Sequence, residues 1–211
     1  QNNEDRFGLA CTEQSLLLVV ADGMGGHVDG EVAAQIAVDV LVEQFRQQAY
    51  PVLEQPKHFL NAAISDAHQA IIDHAILRCL SEVPSTTVVA AIIQHGKVYA
   101  GYAGDSRFYL LENGKTLLRS RDHSHVQRMI DTGFLNESDA ATHPARHRIY
   151  NCLGAVGEPE ITLLPPHELT PGATILLCSD GLWSAVPDEE LGKVFAGRLA
   201  GMVLPVLMNV A

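Results

Sequence analysis

Apolar residues first crowd together at Leu16-Leu17-Leu18-Val19-Val20-Ala21, a continuous run closed by Asp22-Gly23. A short run with a turn signal behind it predicts a buried strand. The spacing then lengthens. Between about residues 30 and 50, Ala33, Ile36, Ala37, Val40 and Leu41 share one stripe while Glu31, Gln35, Asp39 and Glu43 fall elsewhere, which predicts an amphipathic helix. Phe59, Leu60, Ala63, Ile64, Ala67, Ile71 and Ile72 repeat that pattern over residues 57–80, with Pro51 and Pro56 separating the two helices.

Residues 85–93 are β-branched and apolar, and predict a strand that turns at Gln94-His95-Gly96-Lys97. Further strands are expected over 98–103 and 107–111, followed by the turn Glu112-Asn113-Gly114-Lys115, whose Asn-Gly is a strong hairpin signal. Tight turns of this kind pair neighbouring strands antiparallel. A short helix is expected over 125–132, then a polar, His-rich excursion over 133–166 of the sort that forms a lid or insertion. A last buried strand spans 173–179 and ends in Asp180-Gly181; helices are expected over 187–196 and 201–211. Paired helices and hairpin-like strands make an α+β pattern rather than alternating βαβ units.

Composition narrows the class. The 211 residues suffice for one domain with its own core, and 47% apolar against 18% charged residues excludes a disordered chain. Fourteen Lys and Arg against 25 Asp and Glu leave a net charge of −11, which opposes nucleic acid and anionic membranes as partners. No apolar run reaches a membrane span and no basic-then-apolar leader opens the chain, so a cytoplasmic protein is expected. Gln1 at one end and an interrupted pattern at the other suggest trimmed termini. The four cysteines, Cys11, Cys79, Cys152 and Cys178, show no paired spacing and are expected to be reduced and mostly buried.

The candidate chemistry lies in a recurrence. Three times an apolar strand ends in Asp beside a small residue: Val20-Ala21-Asp22-Gly23, Ala103-Gly104-Asp105-Ser106 and Cys178-Ser179-Asp180-Gly181. One such Asp is ordinarily a turn former. Three together would repel one another unless a cation neutralised them, and hard oxygen donors select Mg²⁺ or Mn²⁺ over Zn²⁺. Glu4 and Asp5 add two more acids.

Other chemistries fail on the letters. A dinucleotide loop at Gly23-Met24-Gly25-Gly26 lacks its third Gly, since position 28 is Val28, and no Lys before Lys57 could complete a phosphate-binding P-loop. His143 and His147 stand four apart, but Pro144 between them makes a helical metal pair doubtful, so a solvent-facing lid is expected. No Gly-x-Ser-x-Gly supports a serine nucleophile, and Trp183 is expected to pack over the site.

In order along the chain stand Asn3-Glu4-Asp5, Ala21-Asp22-Gly23-Met24-Gly25-Gly26-His27 with Gly30-Glu31, and Ser85-Thr86-Thr87. They are followed by Gly101-Tyr102-Ala103-Gly104-Asp105-Ser106-Arg107, Arg121-Asp122-His123-Ser124 and Ser179-Asp180-Gly181-Leu182-Trp183. The ordered set resembles the metal-dependent serine/threonine phosphatases of the protein phosphatase 2C family, in the bacterial style. The resemblance implies an α+β, four-layer α-β-β-α sandwich: two central antiparallel sheets flanked by helix pairs, over residues 1–211. It implies hydrolysis of phosphoserine and phosphothreonine on proteins by a water activated at a binuclear Mn²⁺ or Mg²⁺ centre, opposing a Ser/Thr kinase. By position, Asp22 would bridge two ions, with Glu4 and the Gly23 carbonyl on one and Asp180 on the other. Asp105 with Asp180 would take a third ion, and Asp5 would orient the attacking water. Residues from about 123 to 159 would form a mobile flap, and the protein would act as a monomer.

The match is incomplete. The family's phosphate-clamping Arg would precede Gln1, Met24 stands where animal members carry a proposed general-acid His, and no Asp follows Asp188 to supply the last metal ligand. Two alternatives follow: a catalytic domain lacking its extreme N-terminus and last C-terminal strand, or a catalytically incomplete scaffold. A phosphatase with an aspartyl nucleophile would need an Asp-x-Asp after an apolar strand, which is absent.

Overall fold

Strand formation starts earlier than the apolar runs predict, at β1 (Asp5–Cys11), which pairs antiparallel with β2 (Ser15–Met24). The computed structural model describes residues 3–24, 29–140 and 142–195. Helices α1 (Gly30–Gln48) and α2 (Pro56–Leu77) follow, then strands β3 (Ser85–Thr86), β4 (Val88–Gln94), β5 (Lys97–Ala103), β6 (Arg107–Glu112) and β7 (Lys115–Arg119). After α3 (His125–Asp131) and α4 (Glu137–Ala140) come short strands β8 (Thr162–Leu163) and β9 (His167–Glu168). The described chain closes with β10 (Thr174–Cys178), α5 (Asp180–Trp183) and α6 (Asp188–Phe195). The helix expected over 201–211, and Gly25, Gly26 and His27, lie outside the described residues.

The larger sheet runs β1-β2-β4-β5-β8, with β3 on β2 and β9 on β5; the smaller runs β10-β6-β7. Every strand pair is antiparallel, as the hairpin signals predict. Side-chain alternation then builds the layers. Leu17, Val19, Ala21, Ala90 and Ile92 face Ala37, Leu41, Phe45, Leu60 and Ile64 of the α1–α2 pair. The opposite face, with Val89, Ala91, Ala100 and Tyr102, packs on Phe108 and Leu110 of the smaller sheet. Beyond that sheet Tyr109, Leu111 and Leu176 meet Leu191 of α6. The α+β architecture with two antiparallel sheets between helical layers is the expected one.

Alternation also exposes a gap. Gly8 lies against Val38 and Val42 of α1, so Phe7 and Leu9 face the side on which the smaller sheet stacks. There they are 84% and 55% exposed, and among the described residues β10 is an edge strand of the smaller sheet.

Three expectations need correcting. The strand that was to end before Asp22 continues to Met24, because Asp22 pairs with Asp5 and Gly23 with Thr86. The strand expected over 85–93 breaks at Thr87, whose N–H turns to the Asp22 carbonyl at 2.9 Å. All four cysteines are free thiols, but Cys11 and Cys79 are exposed and only Cys178 is fully buried. Cys11 lies on an edge strand and Cys79 just past the end of α2, where no second layer covers them.

Candidate functional site

The carboxylates converge at one end of the sheet stack. Asp5 and Asp22 sit directly opposite on β1 and β2. Asp105 lies in the β5–β6 turn, and Asp180 opens α5 at the end of β10. Adjacent strands, one turn and one helix start thus bring together four acids from distant parts of the chain.

The Thr86-Thr87 pair explains why Asp22 is held. The Asp22 carbonyl accepts from the Thr87 N–H and from Thr86 Oγ1, each at 2.9 Å, while its own N–H donates to Thr87 Oγ1 at 3.2 Å. Thr87 Oγ1 in turn lies 2.6 Å from Ser106 Oγ, next to Asp105. The turn carrying Asp105 needs Gly104, with φ +112°, since a Cβ there would meet Thr87 at 2.7 Å. Trp183 donates its indole N–H to the Asp105 carbonyl at 2.9 Å, so it anchors the turn besides packing. Glu4 lies over Gly30: a Cβ at Gly30 would approach Glu4 Oε2 to 2.3 Å, and one at Gly23 would meet the Gly30 carbonyl at the same distance. Glu4 and Gly23 therefore share one cradle.

Burial and mutual repulsion act together on this cluster. Burial, then the charges of Asp5, Asp180 and Asp105, push Asp22 from 3.8 to about 8. Burial, then Asp122 and Asp180, push Asp105 to about 7 against the pull of Arg107. The donors are hard oxygens, which fit Mn²⁺ or Mg²⁺. They are neighbours rather than a closed cage: among the described residues no three His, Cys, Asp or Glu side chains are drawn together around an ion-sized space. Two of them are engaged elsewhere. Asp5 Oδ2 accepts from Ser179 Oγ at 2.9 Å, and Asp180 Oδ2 lies 3.2 Å from His147 Nδ1.

A pH dependence follows. Above pH 6.5 the unfolded forms of Asp22 and Asp105 are already ionised, while the folded forms still bind protons up to about 8 and about 7. The folded state then binds more protons, so its stability falls as pH rises. Without divalent cations, thermal unfolding is expected at a lower temperature at pH 8.5 than at pH 6.5, and millimolar Mn²⁺ should remove most of the difference. A midpoint that rises with pH over this window would contradict the shared field.

Behind the acids lies an ion-pair block. Arg107 makes two hydrogen bonds to Asp122, at 2.8 and 2.7 Å, and its guanidinium lies 3.8 Å from the centre of the Trp183 ring. Asp188 accepts from Tyr109 at 2.8 Å and from Arg119 at 2.6 Å. A cleft of about 290 Å³ opens here between the smaller sheet and α3, lined by Arg107, Arg119, Asp122, Gln127 and Asp188. It adjoins the carboxylates without including them.

Ser179, Thr86 and Thr87 carry roles that their sequence positions left unassigned. The only hint was their place beside Asp180 and in the ordered motif set. His143 and His147 lie in the excursion as expected, yet His147 reaches inward to Asp180 and stacks on Trp183, with ring centres 6.1 Å apart.

Comparison with known proteins gives concordant results. The family profile described as Protein phosphatase 2C matches residues 1–207. A serine/threonine phosphatase stp of Listeria welshimeri is 34% identical over 200 residues, covering 93% of this chain and 79% of that protein. The serine/threonine phosphatase Stp1 of Staphylococcus aureus superposes with a TM-score of 0.87 at 28% identity, over 99% of this chain and 84% of that one. The catalytic domain of PstP, a serine threonine protein phosphatase solved with two manganese ions, superposes with a TM-score of 0.80 at 29% identity, over 99% and 84%.

Proposed function

The chain belongs to the protein phosphatase 2C family, and from that premise we propose how its own residues divide the work. It is a serine/threonine protein phosphatase acting on phosphoproteins, in a metal-dependent family. We assign two or three Mn²⁺ or Mg²⁺ ions to the carboxylate cluster. Asp22 would help hold two of them, one together with Glu4 and the Gly23 carbonyl and one together with Asp180, and Asp105 with Asp180 would hold a third. When bound, such ions supply a water acidic enough to act as nucleophile near neutral pH, together with charge that offsets the phosphoryl oxygens. Asp5, whose carboxylate accepts from Ser179 Oγ, would orient the attacking water. Thr86 and Thr87 keep Asp22 aimed, and Trp183 keeps the Asp105 turn in place.

The observation that carries this reading is the convergence of Asp5, Asp22, Asp105 and Asp180 at one end of the sheets, where burial and then the other three charges push Asp22 up to about 8. The test is phosphate release from a phosphothreonine peptide, expected to need Mn²⁺, to stop in EDTA and to return with excess Mn²⁺. Robust turnover in EDTA would sink the assignment.

Residues 1–211 are read as one phosphatase domain, with residues about 123–159 as its flap. A further strand laid along β10 would complete the smaller sheet and cover Phe7 and Leu9, whose exposure there supports it. A Ser/Thr kinase must supply the phosphorylated substrate. We place the protein in the cytoplasm as a monomer. Among the described residues no helix is long and apolar enough to cross a membrane, and a net charge of −11 keeps copies apart.

A further inference from the structure

His147 reaches from the excursion after α3 to a carboxylate assigned to the metals. Its Nδ1 lies 3.2 Å from Asp180 Oδ2, and its Nε2 accepts from Arg146 Nε at 2.7 Å. A guanidinium can only donate, so Nε2 is the acceptor, and the neutral ring carries its proton on Nδ1, pointed at Asp180. The same ring lies nearly parallel to Trp183, at 26°. We propose that His147 is a latch: without metal it ties the flap to Asp180, and a divalent ion that takes this carboxylate frees the flap. The proposal rests on the assignment of Asp180 as a metal ligand.

The base of the flap is anchored independently. Ser124 and Ile149 form a β-bridge, the Tyr150 N–H donates to the His123 carbonyl at 3.0 Å, and Arg128 lies 3.5 Å above the Tyr150 ring. Beyond that base, His147 contacts Asp180, and release is expected around His147. Latch and ion draw on the same carboxylate. A closed latch lowers the apparent metal affinity by the fraction of molecules in which it is closed. By reciprocity, the ion opens the latch.

Trp183 is the only tryptophan of the chain, so its fluorescence reads the stack with His147 directly. The experiment compares the protein with its His147→Ala and Asp180→Ala variants. Mn²⁺ alone is titrated by Trp fluorescence and calorimetry, and trypsin cleavage after Arg146 is timed. His147 is 46% exposed, and circular dichroism checks that the variants fold.

In the unchanged protein Mn²⁺ should alter the emission and speed cleavage. In His147→Ala the metal-free emission should approach that of the metal-bound protein, cleavage should be fast without metal, and Mn²⁺ should bind about two- to fivefold more tightly, the scale of a surface pair. Asp180→Ala should also be cut quickly without metal while binding Mn²⁺ more weakly. Equal Mn²⁺ affinity, or cleavage indifferent to His147, overturns the latch. Weaker binding by His147→Ala also overturns it, by making the imidazole a ligand. If the unchanged protein binds no Mn²⁺, the metal-site assignment itself fails.

Discussion

Replacing Asp22 with Asn is expected to lower Mn²⁺-dependent hydrolysis of a phosphothreonine peptide by roughly a thousandfold. The amide keeps the size of the side chain and leaves the backbone bonds to Thr86 and Thr87 untouched. What it removes is the charge opposite Asp5, in the shared field of Asp105 and Asp180. Metal ions contribute several kcal/mol of charge stabilisation in such reactions, and each ~1.4 kcal/mol is a factor of ten in rate. About 4 kcal/mol lost therefore gives the thousandfold. The same change should leave the metal-free protein at least as stable, because one repelling carboxylate is gone. Phosphate release and thermal unfolding, measured on the same preparation, should move in opposite directions. A variant that keeps its rate within about tenfold would remove Asp22 from the centre of the site.

The second large effect falls on stability. Replacing Arg107 with Met is expected to destabilise the fold by about 3–5 kcal/mol, the cost of leaving one member of a buried pair without its partner. Asp122 is only 8% exposed, and both of its carboxylate oxygens accept from Arg107. For a chain of this size each kcal/mol shifts the midpoint by about 2–4 °C, so a fall of roughly 10 °C is anticipated. The indole of Trp183 also loses the guanidinium that covers it. Adding Asp122→Leu should recover much of the loss, since an apolar pair of similar volume needs no charge partner. A midpoint unchanged in the single variant would show that Asp122 finds water or another donor.

Much of the fold was legible because its signals are local. The 3.6-residue stripes of α1 and α2, Pro56 in the first turn of α2, and the Asn113-Gly114 turn act over a few residues each. The three strand-end acids were legible for the same reason, although β2 runs on through Asp22. Sequence spacing missed β1 altogether, because its residue types do not follow its alternation: the exposed positions include apolar Phe7 and Leu9, while Arg6 and Gly8 take more covered ones. It also read Thr87 as part of a continuous strand and gave the hydroxyls of Thr86, which does lie in β3, and Thr87 no role. Their hydroxyls serve Asp22 across 64 and 65 positions of chain, which no local pattern records.

By itself, the sequence determined most of the longer elements, which acids could bind a hard cation, and, through the order of its motifs, the family. Each of these depends on residue type and short spacing. The tertiary structure decided which carboxylates share one field, which backbone bonds aim them, and that a flap imidazole lies against Asp180. Those relations join residues far apart in the chain, as when Ser179 steadies Asp5 across 174 positions, and only packing of the two sheets brings such partners within reach.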